Sequence, residues 1–184
     1  MPPGKPPPEF LILGGKFAVV KDGTNSLLEL PGEPVDTFGL LFGPTLKSST
    51  QASVNVRARI SGTALGRRSP AFGLGLYGVS GYKLRVSPAK AALELLKDEE
   101  VKVSIPYAWQ SGSWTILRLQ SRKIKGNWKI EGKAWPQGVA EPKSWMISLE
   151  DKTPPTAGRP SLWGMPYSDT PIRFDDLVLS QAQP

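Results

Sequence analysis

The sequence predicts an all-β fold, an antiparallel two-sheet β-sandwich, on three observations. Short apolar segments recur along the chain between turn-forming Gly, Pro, Asn and Asp residues, the rhythm of strands joined by tight connections. Within several segments apolar and polar residues alternate, so one face is buried and the other is wet. The stretch from Gly158 to Ser180 runs from a Gly/Pro-rich turn series into Ile172-Arg173-Phe174-Asp175-Asp176-Leu177-Val178-Leu179, which reads as a closing strand. Period two there places Ile172, Phe174 and Val178 on one face and Arg173, Asp175, Leu177 and Leu179 on the other.

Taken in order, the first eight residues hold five Pro, so residues 1–14 read as a Pro-rich arm or linker that samples extended polyproline II. Residues 15–184 read as the sandwich domain, a length at which one domain buries about 70% of its unfolded-chain surface. Strands are expected at Phe17–Val20, Leu27–Leu30, Phe38–Phe42, Ala52–Ile60, Phe72–Tyr77 and Tyr82–Val86, then at Val101–Ile105, Trp114–Leu119, Trp128–Trp135, Trp145–Leu149 and Ile172–Leu179. In the fourth, Ala52, Val54, Val56, Ala58 and Ile60 alternate with Ser53, Asn55, Arg57 and Arg59, which carries cations into water. Thr115, Leu117 and Leu119 oppose Trp114, Ile116 and Arg118 in the same way. Pro88 to Lys97 has helix-forming residues, but Leu93 and Leu95 alternate with Glu94, and flanking hairpin signals favour a strand. Lys97-Asp98-Glu99-Glu100 reads as a polar turn, and Ser121 to Gly126, with Arg122, Lys123 and Lys125, as a solvated hairpin tip rather than a phosphate site.

Composition removes whole classes of chemistry. No Cys is present, so there are no disulfides, thiolate metal sites or Cys nucleophiles. No His is present either, which removes Ser-His-Asp triads, His general bases and the usual zinc ligands. Twenty-three Lys and Arg against sixteen Asp and Glu give a net charge of +7, compatible with an acidic partner, but scattered along the chain. No apolar run approaches the roughly 20 residues of a membrane span, and Phe10 to Leu13 is too short for a signal-peptide core. Either the chain is cytoplasmic or a targeting segment has been removed.

The run from Pro70 to Leu84, then Trp109-Gln110-Ser111-Gly112-Ser113-Trp114-Thr115, Gly132 to Gly138, Glu141-Pro142-Lys143-Ser144-Trp145 and the closure from Gly158 to Ser180 resemble the concanavalin A-like jelly rolls. More narrowly they resemble laminin-G-like and 3-keto-disaccharide hydrolase-type domains of bacterial envelope proteins. The resemblance spans roughly residues 15 to 181. It implies an extracytoplasmic location, periplasmic, secreted or envelope-associated, and an architecture that serves lectins, glycosidases and structural modules alike. Phe174-Asp175-Asp176 resembles the motif that closes many such jelly rolls, where an acidic residue binds a backbone turn or a structural calcium. No other cofactor is implied. Asp175 is the candidate metal ligand, although calcium needs about six to eight oxygens and two adjacent Asp on opposite strand faces cannot both supply them.

Glycosidase chemistry needs two carboxyls about 5 to 9.5 Å apart; no run of Glu, Asp and Glu at alternating positions is present, and Asp98 and Glu100, which could share a face, fall in the segment read as a polar turn. The chain is therefore read as a binding module, with a glycoside hydrolase kept as the lesser reading. Planar aromatics stack on sugar rings and anchor interfaces. Trp114 and Trp128, inside alternating strands, are expected in the core, whereas Trp109, Trp135, Trp145, Trp163 and Tyr167 fall near turns or strand ends, with Arg173 as a hydrogen-bonding neighbour. These six are the candidate ligand-binding residues. Two functions follow: carbohydrate binding on a concave sheet face through aromatic stacking, or docking as a subunit onto a larger envelope protein complex. A nucleic-acid partner is not expected, because no basic-aromatic interleaving marks a surface strand.

Overall fold

The computed structural model describes residues 3–32 and 36–182, the last by its backbone alone. Met1 and Pro2 of the expected arm lie outside that range, as do Glu33, Pro34, Val35, Gln183 and Pro184 of the expected sandwich.

Numbered along the chain, the strands are β1 (Leu11–Ile12), β2 (Ala18–Asp22), β3 (Asn25–Leu30), β4 (Phe38–Leu41), β5 (Ser53–Ser61), β6 (Ala71–Leu76) and β7 (Tyr82–Ser87). The second half holds β8 (Ala92–Lys97), β9 (Glu100–Pro106), β10 (Trp114–Ile124), β11 (Asn127–Pro136), β12 (Ile147–Asp151), β13 (Ser161–Met165) and β14 (Ile172–Ala182). They form two antiparallel seven-stranded sheets, the first ordered β12-β11-β10-β5-β14-β3-β2 and the second β1-β4-β13-β6-β7-β8-β9. Two sheets face to face bury one side of each, which is what the period-two pattern encodes.

Val54, Val56, Ala58 and Ile60 of β5 meet Leu117 and Leu119 of β10 and Phe72, Leu74, Leu76, Leu84 and Leu162 of the second sheet in one apolar cluster, almost all wholly buried. Pro88 to Lys97 is a single 3-10 turn over Pro88–Lys90 followed by strand β8, so the strand reading holds for its second half. Asp98 and Glu99 make the tight β8–β9 turn with φ of 51° and 65°, the left-handed pair that a two-residue hairpin loop requires.

Three local readings are corrected. The stretch after Gly158 is not only turns, because Ser161–Met165 forms β13, which pairs with both β4 and β6. Its five residues include Gly164 and a Trp, too short and irregular a pattern to read as a strand. Second, β14 does not keep one alternation: a bulge between Asp175 and Val178, with Asp176 at φ 51°, shifts the register. Ile172 and Phe174 point inward as expected, but beyond the bulge Leu177 and Leu179 pack on the core and Val178 is 48% exposed. Third, pairing enters the expected arm, where Leu11 and Ile12 oppose Leu41 and Leu40, Gly4 bridges Val19, and Phe10 packs on Phe42 with ring centroids 6.2 Å apart.

Candidate functional site

The two outward faces of the sandwich offer different chemistry. On the second sheet, alternation along β13 turns Leu162 to the core and Trp163 outward. The indole is tolerated because its neighbour on β4 is Gly39, where an added Cβ would come within 2.6 Å of the ring. Trp163 Nε1 donates to Ser161 Oγ at 2.8 Å. The Lys83 ammonium of β7 lies 3.5 Å from the ring centroid and is paired with Glu99. Burial pushes the Lys83 pKa down, against the pull of the Glu99 carboxylate. Gly73, Lys83, Arg85, Leu96, Trp163 and Met165 line a hollow here, and Arg85 and Met165 also line an adjoining one that holds Lys90 and Tyr167.

Between the hollows, Glu94 is buried with Arg85 at 2.7 Å and Lys90 at 3.0 Å. Burial alone would raise this carboxyl; the hydrogen bonds from Lys90 and Arg85 outweigh it and hold the pKa below the ordinary value.

The first sheet turns a cationic face outward. Register places Lys133 of β11, Arg118 of β10 and Arg57 of β5 side by side in one row across three strands. The next row on one side is Glu131, Gln120, Asn55 and Ser180, and on the other Trp135, Ile116, Arg59 and Asp175. Arg59 holds both Asp175 and, through Nε at 3.3 Å, Asp176; that last approach is a charge contact without hydrogen-bond alignment. Arg122 and Lys129 hold Glu131. Glu141, from the β11–β12 connection, reaches Arg118 at 2.8 Å and Lys133 at 2.7 Å. Burial raises the Asp175 and Glu131 carboxyls less than their cationic partners lower them, so both lie below the usual range.

The residues expected to bind ligand are thus divided. Trp163 and Tyr167 lie on the second sheet's outer face. Trp135 faces outward on β11 but is only 4% exposed, and Trp145 lies under the Lys133 ammonium at 4.7 Å. Arg173, in line with Glu29 of β3, is bonded to it at 2.9 Å. Trp109 is elsewhere, packed edge-on against Phe72 with its indole N–H buried and without a hydrogen-bond partner among the described residues. Of the two Trp expected in the core, Trp128 is there at 2% exposure. Trp114 is not: it faces outward opposite Ser61 with the Arg59 guanidinium 4.6 Å from its ring centroid.

Asp175 does not fit the calcium role. The Arg59 guanidinium and the Asn25 amide occupy its carboxylate, and among the described residues no three acidic, His or Cys side chains gather to hold a metal ion. The bulge also brings Asp175 and Asp176 to the same cation, which strict alternation had placed on opposite faces. Arg57, Arg118, Lys133 and Lys83 were missed as site residues because each, taken alone, is an ordinary polar position on an alternating strand. Only inter-strand register sets three of them in line.

No family model matches the chain, and no curated protein matches it either. Among solved structures it is similar to the carbohydrate recognition domain of Emp46p, with a TM-score of 0.63 and 10% identity, covering 93% of this chain and 87% of that one. It is similar to a seed lectin of Lotus tetragonolobus, at TM-score 0.60 and 10% identity over 98% and 97% of the two chains. An alginate lyase of polysaccharide lyase family 7 also matches, at TM-score 0.52 and 10% identity over 90% and 82%. Lectins and a lyase share this architecture, so the likeness carries fold and not chemistry. The chain has the concanavalin A-like jelly-roll fold.

Proposed function

We propose that the protein is a non-catalytic carbohydrate-binding module whose ligand lies on the outer face of the first sheet, across β10, β5 and β14. The observation that carries this reading is the half-buried polar floor of Asn55, Arg57, Gln120 and Arg118, fixed side by side by strand register. Side chains held on paired strands lose little freedom on binding, and amides and guanidiniums donate to ring hydroxyls. The likeness to two carbohydrate-binding proteins supports the reading. Stacking has a smaller part than the sequence suggests: Trp114, Trp145 and Trp163 each have a cation over the ring. Of the residues selected from sequence, Trp135 and Asp175 lie in a row of this face, and Trp145 and Arg173 flank it.

A glycan array probed with the full chain tests the proposal. Binding that Asn55→Ala with Gln120→Ala abolishes, at unchanged melting temperature, supports it; binding lost instead on Trp163→Ala moves the site to the second sheet. A second reading, docking onto a larger envelope complex, draws on the apolar run Leu11, Ile12 and Leu13, which is 39–52% exposed beside β4. A stoichiometric protein partner released by Leu11→Asp with Leu13→Asp would favour that reading. An extracytoplasmic location belongs to the same proposal. Among the described residues no helix is long and apolar enough to cross a membrane.

A further inference from the structure

We infer that the ligand of this face is an acidic polysaccharide, one that bears a carboxylate or sulfate on its sugar rings, and that Arg57 receives the anion. The inference rests on the carbohydrate reading above. Its starting point is a charge imbalance that the fold maintains.

Lys133, Arg118 and Arg57 face one another on adjacent strands, about 4.8 Å apart in the pairing direction. Like charges directly opposite are destabilising. A single carboxylate, Glu141, answers the row, and it sits at the β11 end, between Lys133 and Arg118. Of the other acids near the row, Asp175 and Asp176 are held by Arg59, Glu131 by Arg122 and Lys129, and Glu29 by Arg173, while Glu150 stands apart on the edge strand β12 opposite Lys129. Arg57 is left with neither an ion pair nor a side-chain hydrogen bond among the described residues, and its Nε is buried. A half-buried guanidinium without a partner is costly, and the cost is offset by an anion that presents two acceptor oxygens to its fork. Glu141 already shows the preferred chemistry, because the chain places a carboxylate on the neighbouring cations of the same row.

The surroundings favour a sugar polymer over a nucleic acid. Asn55 and Gln120 flank Arg57; the Asn55 amide donates to Gln120 only at 3.5 Å and its carbonyl oxygen stays open to a hydroxyl, while Gln120 Nε2 donates to Glu131 at 3.2 Å. Single-stranded nucleic acids are held by free aromatic faces, whereas Trp114 and Trp145 are covered by Arg59 and Lys133. A strand with a phosphate every 3.4 Å or so would also meet the rim of Asp175, Asp176, Glu131 and Glu141. A polymer with one anion per sugar ring sets a single charge at Arg57 and neutral hydroxyls against the amides.

The test is equilibrium binding of the full chain to polygalacturonate, dextran sulfate, neutral dextran and oligo(dT), at low and raised salt. Four proteins are compared: the native chain, Arg57→Gln, Asn55→Ala with Gln120→Ala, and Lys125→Gln at the exposed β10–β11 hairpin tip as a control for net charge. The expected result is binding to one or both acidic polysaccharides. Arg57→Gln should weaken it about tenfold, the scale of one charged hydrogen bond, with Lys125→Gln unchanged. Preference between the two polymers names the anion. Equal losses in both variants, or oligo(dT) bound as tightly, would overturn the inference in favour of diffuse charge attraction. Dextran binding that survives Arg57→Gln but not Asn55→Ala with Gln120→Ala would overturn it while leaving the carbohydrate reading intact. No binding to any sugar polymer here or on the array would sink both. Melting curves of Arg57→Gln separate lost binding from lost fold.

Discussion

Replacing Glu94 by Gln removes one charge and almost no volume, so it isolates the electrostatic part of the second sheet's outer face. The carboxylate is 2% exposed and receives Arg85 through Nη2 at 2.7 Å and Nε at 2.8 Å, and Lys90 at 3.0 Å. Hydrogen bonds to a charged group contribute about 1.5–3 kcal/mol each when well enclosed. Lys90 is 60% exposed, so its share falls to a few tenths of a kcal/mol, and Arg85, at 23%, keeps the larger part. Gln still accepts from Arg85 but leaves its charge unanswered, so the expected loss is about 2 kcal/mol at pH 7. For a chain of this length that lowers the melting temperature by roughly 4–8 °C. The folded carboxyl lies below its unfolded value, so its contribution is fully present above about pH 4.5 and is lost as pH falls through the folded pKa. Urea unfolding followed by Trp fluorescence at pH 7, 5 and 3 reads the difference between native and variant. The gap should be full at pH 7 and 5 and should shrink at pH 3. A gap that stays constant, or one below about 0.3 kcal/mol at pH 7, refutes the reasoning.

Further outcomes follow from burial and close contact. Trp128→Ala, in the core at 2% exposure, should cost about 3–5 kcal/mol, whereas Trp114→Ala, on the wet face, should cost about 1 kcal/mol; denaturant midpoints that rank them the other way would contradict their placement. Gly73→Ala would bring a Cβ within 2.2 Å of the Leu84 carbonyl oxygen on the neighbouring strand, so it should destabilise by about 3 kcal/mol or more, and a melting curve like the native one would show that β6 and β7 are not so close. Burial raises the phenols of Tyr77, Tyr82 and Tyr107 above their ordinary value. Folding therefore keeps stability below about pH 10 that is lost above it, and an absorbance titration of the folded protein should leave these three phenols protonated near pH 10. Four tyrosines titrating together near 10 in folded protein would be inconsistent with that burial.

Where the sequence succeeded, it did so through alternation. Ala58 and Ile60 against Arg57 and Arg59, or Leu117 and Leu119 against Ile116 and Arg118, place themselves because successive side chains of a strand point to opposite faces. It failed where that period breaks or is too short to see. Asp176 takes a left-handed conformation, the bulge follows, and Leu177 and Val178 exchange faces. Trp163 was read near a turn because Ser161–Met165 is brief and lies among Gly and Pro, yet pairing on both sides makes it a central strand. Trp114 is expected in the core because it lies inside an alternating strand, although its opposition to Thr115 and Leu117 already implied the wet face.

The candidate site shows the same division more sharply. That Arg57, Arg118 and Lys133 each point out of the sandwich is written in the local pattern of their own strands. That they stand in one row, with Glu141 reaching two of them and no side chain among the described residues pairing with Arg57, depends on pairings among β5, β10 and β11 across up to about 76 residues of chain. The sequence by itself determined the class of fold and which side chains face water, because both follow from a two-residue period and from turn chemistry. Register, the bulge in β14 and the alignment of charges were decided only by tertiary structure, because each depends on which residue of a distant strand comes to lie opposite.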